Sequence, residues 1–235
     1  MKKAMFLSAM LSLGSLCWAG SERSERKNAV DRMNNAAEVL HEIMAAPDRR
    51  ISEETMKRAK CVAVIPHLMK GGFVFGAEHG KGVATCRTAR GWSAPAFIKI
   101  EGGSWGTQIG VEAVDLVMVI KSEKGMQKLL SSKFEIGRDA SAAVGPVGRH
   151  SSENTDLKLD TLILTYSRAQ GAFLGMTFDG ALVRGDNGSR HAMYGPRVTT
   201  RATLLGRVAA PAAARPFLDA VRGAKLQAIV QTAKK

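Results

Sequence analysis

The chain has 235 residues, 45% hydrophobic and 23% charged, and its 34 Lys and Arg against 21 Asp and Glu give a formal net charge of +13. This is enough chain to bury a sizeable core in one domain, and the ordinary hydrophobic content, with no low-complexity tract, excludes a disordered or fibrous protein. A cationic surface of this kind suits anionic polymers or anionic lipid headgroups and needs no specific pocket to attract them.

Lys2-Lys3 precedes an uncharged run from Ala4 to Ser21. The run is too short and too abruptly ended for a span of ~20 apolar residues. Cys17-Trp18-Ala19 puts small residues at −3 and −1, so residues 1–19 read as a signal peptide cleaved before Gly20. Lipidation would need a small residue where Leu16 stands, and retention of the segment is the other alternative. Without Lys2 and Lys3 the charge of +13 becomes +11. Export implies a periplasmic protein, peripherally membrane-associated at most, for which nucleic acid is not a natural partner. Cys61 and Cys86 then remain in an oxidising compartment that allows a disulfide, the alternative being two buried thiols.

Residues 20–27 are charged and predict a frayed start. Residues 28–46 repeat Val30, Met33, Ala37, Leu40 and Met44 at helical spacing, joined by Ala36 and Ile43, and Pro47 ends the run. The stripe fits a helix packed on the core or an amphipathic membrane contact. Asp31, Glu38 and Glu42 offset Arg32, leaving the polar face nearly neutral, unlike a basic interfacial helix. Ser52 is placed to cap a second helix, with Ile51 and Met56 as its hydrophobic staple. Arg49, Arg50, Lys57, Arg58 and Lys60 form the densest basic cluster, with Lys70 nearby. They are either a solvated face or a headgroup-collecting surface, each cation worth on the order of 1 kcal/mol near an anionic membrane.

Strands are predicted over 61–65, 73–78, 82–87 and 95–101, with tight connections at His79-Gly80-Lys81-Gly82 and Arg90-Gly91. A hairpin of 73–78 with 82–87 would set Cys86 beside the strand that begins at Cys61. Residues 109–120 are β-branched and read as a long buried strand. Ser122 caps a predicted helix through Ser131 with Met126, Leu129 and Leu130 as its apolar face. Residues 161–168 alternate Leu162, Leu164 and Tyr166 against Ile163, Thr165 and Ser167. Residues 171–178 alternate again after Ala169-Gln170-Gly171, which makes an antiparallel hairpin. After Asp179-Gly180 the run 181–184 continues or turns back, 186–196 is polar and loop-like, and 198–208 and 212–233 are Ala- and Leu-rich helical patterns. The class is α+β: a mostly antiparallel curved sheet or partial barrel framed by N- and C-terminal helices. Helical ends and the lack of aromatic girdles argue against an outer-membrane barrel.

The small, glycine-broken stretch Gly137-Arg138-Asp139-Ala140-Ser141 and Gly145-Pro146-Val147-Gly148-Arg149 suits a close-packed crossing. With Tyr166-Ser167-Arg168-Ala169-Gln170-Gly171-Ala172-Phe173-Leu174-Gly175 it resembles the SYLF (DUF500) family of lipid-binding, actin-binding-related domains, over about residues 28–221. The resemblance implies a single domain over 20–235, binding to acidic phospholipids (phosphoinositides in eukaryotic relatives), and actin bundling in some fungal members. It also favours the membrane-contact reading of the 28–46 helix. For an exported, bacterial-looking chain the implied partner is an acidic glycerophospholipid or its membrane surface.

Chemistry offers little else. Gly102-Gly103-Ser104-Trp105-Gly106 fits the nucleophile-elbow pattern, but that motif needs a helix directly after the serine, whereas 107–120 reads as strand. A triad would have to draw on Ser104, Asp115 or Asp139, and His150 or His191. The histidines at 41, 67, 79, 150 and 191 show no metal-ligand spacing, and no nucleotide-binding glycine loop occurs, so no metal or cofactor is expected. The expectation is a non-catalytic lipid-binding protein using Arg49, Arg50, Lys57, Arg58, Lys60 and Lys70 together with an amphipathic or apolar element. An envelope structural or interaction protein is the alternative, and a serine hydrolase the third.

Overall fold

The computed structural model describes residues 2–46, 51–72, 75–105, 110–131, 133–145, 162–169, 172–174, 178 and 180–232. Side chains are considered for 21–46, 51–70, 78–102, 112–131, 133–145, 162–169, 178 and 180–223. Six helices are described: α1 (Lys2–Ala45), α2 (Glu53–Arg58), α3 (Glu123–Leu130), α4 (Asn187–Tyr194), α5 (Thr200–Leu204) and α6 (Arg215–Thr232), with a 3₁₀ turn at Ala212–Ala214. The strands are β1 (Cys61–Gly72), β2 (Phe75–Thr88), β3 (Gly91–Trp92), β4 (Ala96–Trp105), β5 (Gly110–Ile120), β6 (Lys133–Glu135), β7 (Ala142–Val144), β8 (Ile163–Ala169), β9 (Ala172–Leu174) and β10 (Leu182–Gly185). They form one sheet in the order β6-β10-β4-β2-β1-β5-β8-β7, with β3 on β2 and β9 on β8. All pairings are antiparallel except β7 with β8.

The strand order dictates the curl. The two ends of that path, β6 and β7, are separated in sequence only by residues 136–141, and Ile136 bridges Ala140. A flat sheet of this width would hold its edges roughly 34 Å apart at ~4.8 Å per strand, beyond the ~24 Å that so short a link spans. The sheet therefore rolls into a half-barrel.

Alternation sorts both faces into apolar layers. The inner face carries Cys61, Ala63, Ile65, Ala84, Cys86, Ile98, Ile100, Leu116, Met118 and Ile120. These pack with Phe134, Ile136 and Ala140 at the closing edge and with Leu129 and Leu130 of α3. The outer face carries Val62, Val64, Val83, Phe97, Val117, Val119, Leu164 and Tyr166 beneath α1, α2 and α6. Ala29, Met33, Ala36, Leu40 and Ile43 of α1 are fully buried there, so the apolar stripe of the first helix is consumed by the core. Among the described residues no helix is long and apolar enough to cross a membrane.

Two predicted caps are present. Ser52 Oγ accepts from Thr55 N at 3.2 Å with Ile51 and Met56 both buried beside it, and Ser122 Oγ accepts from Gly125 N at 3.0 Å. The predicted β8–β9 pairing also forms, and after Gly180 (φ 85°) the chain enters β10, which pairs with β4 and β6 and not with β9.

Other expectations are corrected. His79–Gly82 is no turn: β2 runs straight through it, so 75–78 does not fold back on 82–87, and residues 73–74 lie outside the described residues. A Cβ on Gly82 would lie 2.3 Å from Val64 O, and one on Gly80 2.7 Å from Leu68 Cδ1, so these glycines permit close approach to β1. There β1 bulges by one residue at Pro66-His67, with His67 at φ 51° and its N–H donating to Asp115 Oδ1 at 3.0 Å. Residues 21–27 continue α1: Lys27 pairs with Asp31 at 2.7 Å, and Arg26 donates to Ala192 O at 3.1 Å at the C-terminal end of α4. The 186–196 segment contains α4 because Asp186 caps it, and only Thr200–Leu204 of 198–208 is helical.

Candidate anionic-surface site

The paired ends of β1, β2, β5 and β8 gather the cations. Cys61 stands opposite both Cys86 and Ile120, and Ile120 opposite Ile163. Helix α2 leads into this end and α3 leaves it, which brings Lys57, Arg58, Lys60, Arg87, Arg90, Lys121 and Lys124 to one pole of the sheet. At the opposite ends of β1, β2, β4 and β5, residues 71–72, 75–77, 102–105 and 110–111 carry no charge. The two ends thus differ: cations gather at one, while the strands finish in uncharged residues at the other, just beyond Lys70, Glu78, Glu101 and Glu112.

Carboxylates meet part of the cationic pole. Lys57 pairs with Glu53 and Arg58 with Glu54 along α2, and Lys60 Nζ lies 2.9 Å from Glu123 Oε1. Arg87 turns onto the end of α2, donating to Ala59 O at 2.8 Å and Met56 O at 3.1 Å with its guanidinium 4.5 Å from the Trp92 ring centroid. Lys70 is not part of this pole. The bulge puts it on the inner face, where it is 9% exposed, pairs with Glu78 at 2.9 Å and lies 4.3 Å from the Phe178 ring centroid. Arg49 and Arg50 lie outside the described residues.

Cys61 and Cys86 are cross-strand partners on the inner face with Cα atoms 4.0 Å apart and sulfurs at bonding distance. Sequence reasoning reached this juxtaposition by the wrong route, since the neighbour of β1 is the whole of β2.

The glycine-rich motifs close the half-barrel. Gly137, at φ 87°, makes the turn between the two sheet edges, and Asp139 Oδ2 accepts from Glu135 N at 2.9 Å across it. That backbone bond holds the Asp139 carboxyl below its ordinary pKa. A Cβ on Gly145 would sit 2.1 Å from Tyr166 Cζ, so the glycine of one motif exists to seat the tyrosine of the next. Burial pushes the Tyr166 hydroxyl up to about 12. Arg168 bridges Asp115 at 3.2 Å and Glu42 of α1, tying the first helix to β5 and β8. The 146–149 part of the motif lies outside the described residues.

The hydrolase candidates do not assemble. Ser104 stands within β4 in register with Gly76, so it is not on a strand-to-helix elbow. Asp115 serves the bulge and Arg168, Asp139 serves the closing turn, and His191 sits on α4 beside Arg190. His150 lies outside the described residues.

The class the fold defines is an α+β half-barrel framed by helices, closed by its glycine-rich turn, with cations gathered at one end of its strands. The chain belongs to the Ysc84 (SYLF) family, whose model, described as Las17-binding protein actin regulator, matches residues 101–224. It is similar to Protein YSC84 of Saccharomyces cerevisiae, with 31% identity over 175 residues, 73% of this chain and 37% of that protein. SH3 domain-containing YSC84-like protein 1 of Rattus norvegicus is 29% identical over 199 residues, covering 84% of this chain and 58% of the relative. LAS seventeen-binding protein 3 of Saccharomyces cerevisiae is 28% identical over 201 residues, with coverages of 84% and 43%. The chain thus spans between about two fifths and three fifths of the curated relatives it matches.

Sequence reasoning missed a cleft at the same pole, formed where the β2–β3 turn meets the segment after α5. No local signal marks it, because Arg90 and Gly206, which touch there, are 116 residues apart in the chain.

Proposed function

We propose that this chain is a non-catalytic, exported lipid-binding domain that docks on membranes rich in acidic phospholipid through its cationic pole. The observation that carries the reading is the segregation of Lys57, Arg58, Lys60, Arg90, Lys121 and Lys124 at one end of the strands, opposite the end where they finish in uncharged residues. Such a pole orients the domain toward an anionic surface and adds on the order of 1 kcal/mol per cation near it. The apolar stripe of α1 over residues 29–44 is committed to the core, so that stretch contributes no insertion face. The signal peptide over 1–19 belongs to the same proposal and delivers the domain to the periplasm. Flotation with phosphatidylglycerol-containing and with pure phosphatidylcholine vesicles tests it: binding restricted to the anionic vesicles and weakened by salt supports the reading. A second reading, supported by the family's description as Las17-binding, is a protein-interaction domain in the cell envelope that uses the same pole on an acidic partner. It expects no vesicle binding under either condition.

A further inference from the structure

The cleft at the cationic pole encloses about 330 Å³ between Arg90 and Trp92 on one side and Arg207, Val208, Ala209 and Ala210 on the other. Its frame is fixed. Arg90 donates to Gly206 O at 2.8 Å, and Arg207 N donates to Ala202 O at 3.0 Å. Gly206, at φ 72°, packs so closely on Thr88 that a Cβ there would lie 2.9 Å from Thr88 Cγ2. The Trp92 ring is held by Arg87. Among the described residues no Asp or Glu lines the cleft. Lys57, Arg58 and Lys60 each have a carboxylate, whereas among the described residues neither Arg90 nor Arg207 has an acidic partner. Two exposed arginines thus line one cleft with no acidic partner among the described residues, and Arg90 spends part of its guanidinium on Gly206 O, which leaves donors of both side chains available to an anion. The planar fork matches phosphate oxygens better than it matches water. The adjoining Val208, Ala209 and Ala210 supply a short apolar wall, which suits an amphiphile and not a bare ion.

We propose that this cleft is the headgroup subsite for the phosphate of an acidic glycerophospholipid, with Arg90 and Arg207 on its oxygens and the glycerol backbone against Val208–Ala210. The inference rests on the membrane-binding reading above and relocates its specific contacts from the carboxylate-paired cluster to the unpaired arginines. The test is flotation of the full chain with vesicles containing phosphatidylglycerol, comparing wild type, Arg207→Gln and, as a control outside the pole, Lys27→Gln at 0.1 M salt. Among the described residues the Arg207 side chain makes no bond, so its variant should keep the wild-type thermal midpoint. Its vesicle affinity should fall about tenfold, the loss expected for a charge-assisted hydrogen bond, while Lys27→Gln, which removes an exposed cation of α1 paired with Asp31, should lose no more than about twofold. A parallel NMR titration with dihexanoyl phosphatidic acid should shift the amides of Thr88, Arg90 and Arg207, and inorganic phosphate should shift them less at equal concentration. Equal responses to phosphate and lipid would make the cleft a free-anion site and overturn the proposal. Wild-type flotation undiminished by Arg207→Gln would overturn the subsite and leave membrane binding standing. A wild type that does not float overturns both.

Discussion

Asp186 carries the most consequential charge at the residue scale. It caps α4, accepts from Ser189 Oγ at 2.8 Å, and meets Arg32 of α1 at 3.1 Å and Lys81 of β2 at 3.5 Å, with only 8% of its side chain exposed. Burial pushes its carboxyl up, but Ser189, Lys81 and Arg32 together more than offset that and hold it below the ordinary carboxylate value. A depressed folded pKa contributes stability that is present above the unfolded value of about 3.9 and lost as pH falls through the folded one. Asp186→Asn leaves the 9%-exposed Arg32 without its counter-charge and should cost about 3 kcal/mol at pH 7. Urea midpoints measured from pH 7 to pH 2.5 should show the gap between wild type and variant shrinking below about pH 4. A gap that is constant with pH would contradict this account. Gly82 gives a second test: adding a methyl 2.3 Å from Val64 O should cost roughly 1–3 kcal/mol, whereas Gly223→Ala on open helix surface should stabilise by about 0.5. If residues 79–82 were a turn, Gly82→Ala would be mild.

At the scale of elements, β1 and β2 form the axis of the molecule, and Cys61 with Cys86 marks its cationic end. We expect the two to be oxidised in exported protein. Closing a loop of sequence separation 25 contributes roughly 3 kcal/mol in the loop-entropy model. Denatured, unreduced material should show no thiol reactive to maleimide from Cys61 or Cys86, and two free thiols would contradict the pairing. Which elements could be read from sequence follows from the range of their causes. The Ser52 and Ser122 caps, the Ile51–Met56 staple and the β8–β9 pairing are local, and each was legible. The continuity of β2 was not, because glycines at 80 and 82 resemble a turn until the β1 bulge that demands them is known. Helix α4 was missed because its first turn, Asn187-Gly188-Ser189, is poor helix-forming sequence that reads as a loop, although Asp186 caps it.

At the scale of the whole molecule, closure and polarity come from different parts of the sequence. The Gly137–Ser141 and Tyr166–Arg168 motifs were legible as a family signature, but their purpose was not: Gly145 seats Tyr166, and Gly137 joins the two edges of the sheet. The cationic pole was half legible. Lys57, Arg58 and Lys60 stand out along the chain, while Lys121, Lys124 and Arg90 join them only through strand pairing, and Lys70 departs to the inner face through a single-residue bulge. Docking by such a pole is screened over ~10 Å at 0.1 M salt. The most direct measurement is flotation of the full chain on phosphatidylglycerol-containing vesicles across a salt series, with Lys57→Glu, Arg58→Glu and Lys60→Glu combined. The account expects wild-type binding that falls steeply with salt and a triple variant that binds severalfold more weakly at an unchanged thermal midpoint. Salt-insensitive binding that the triple variant retains in full would contradict it.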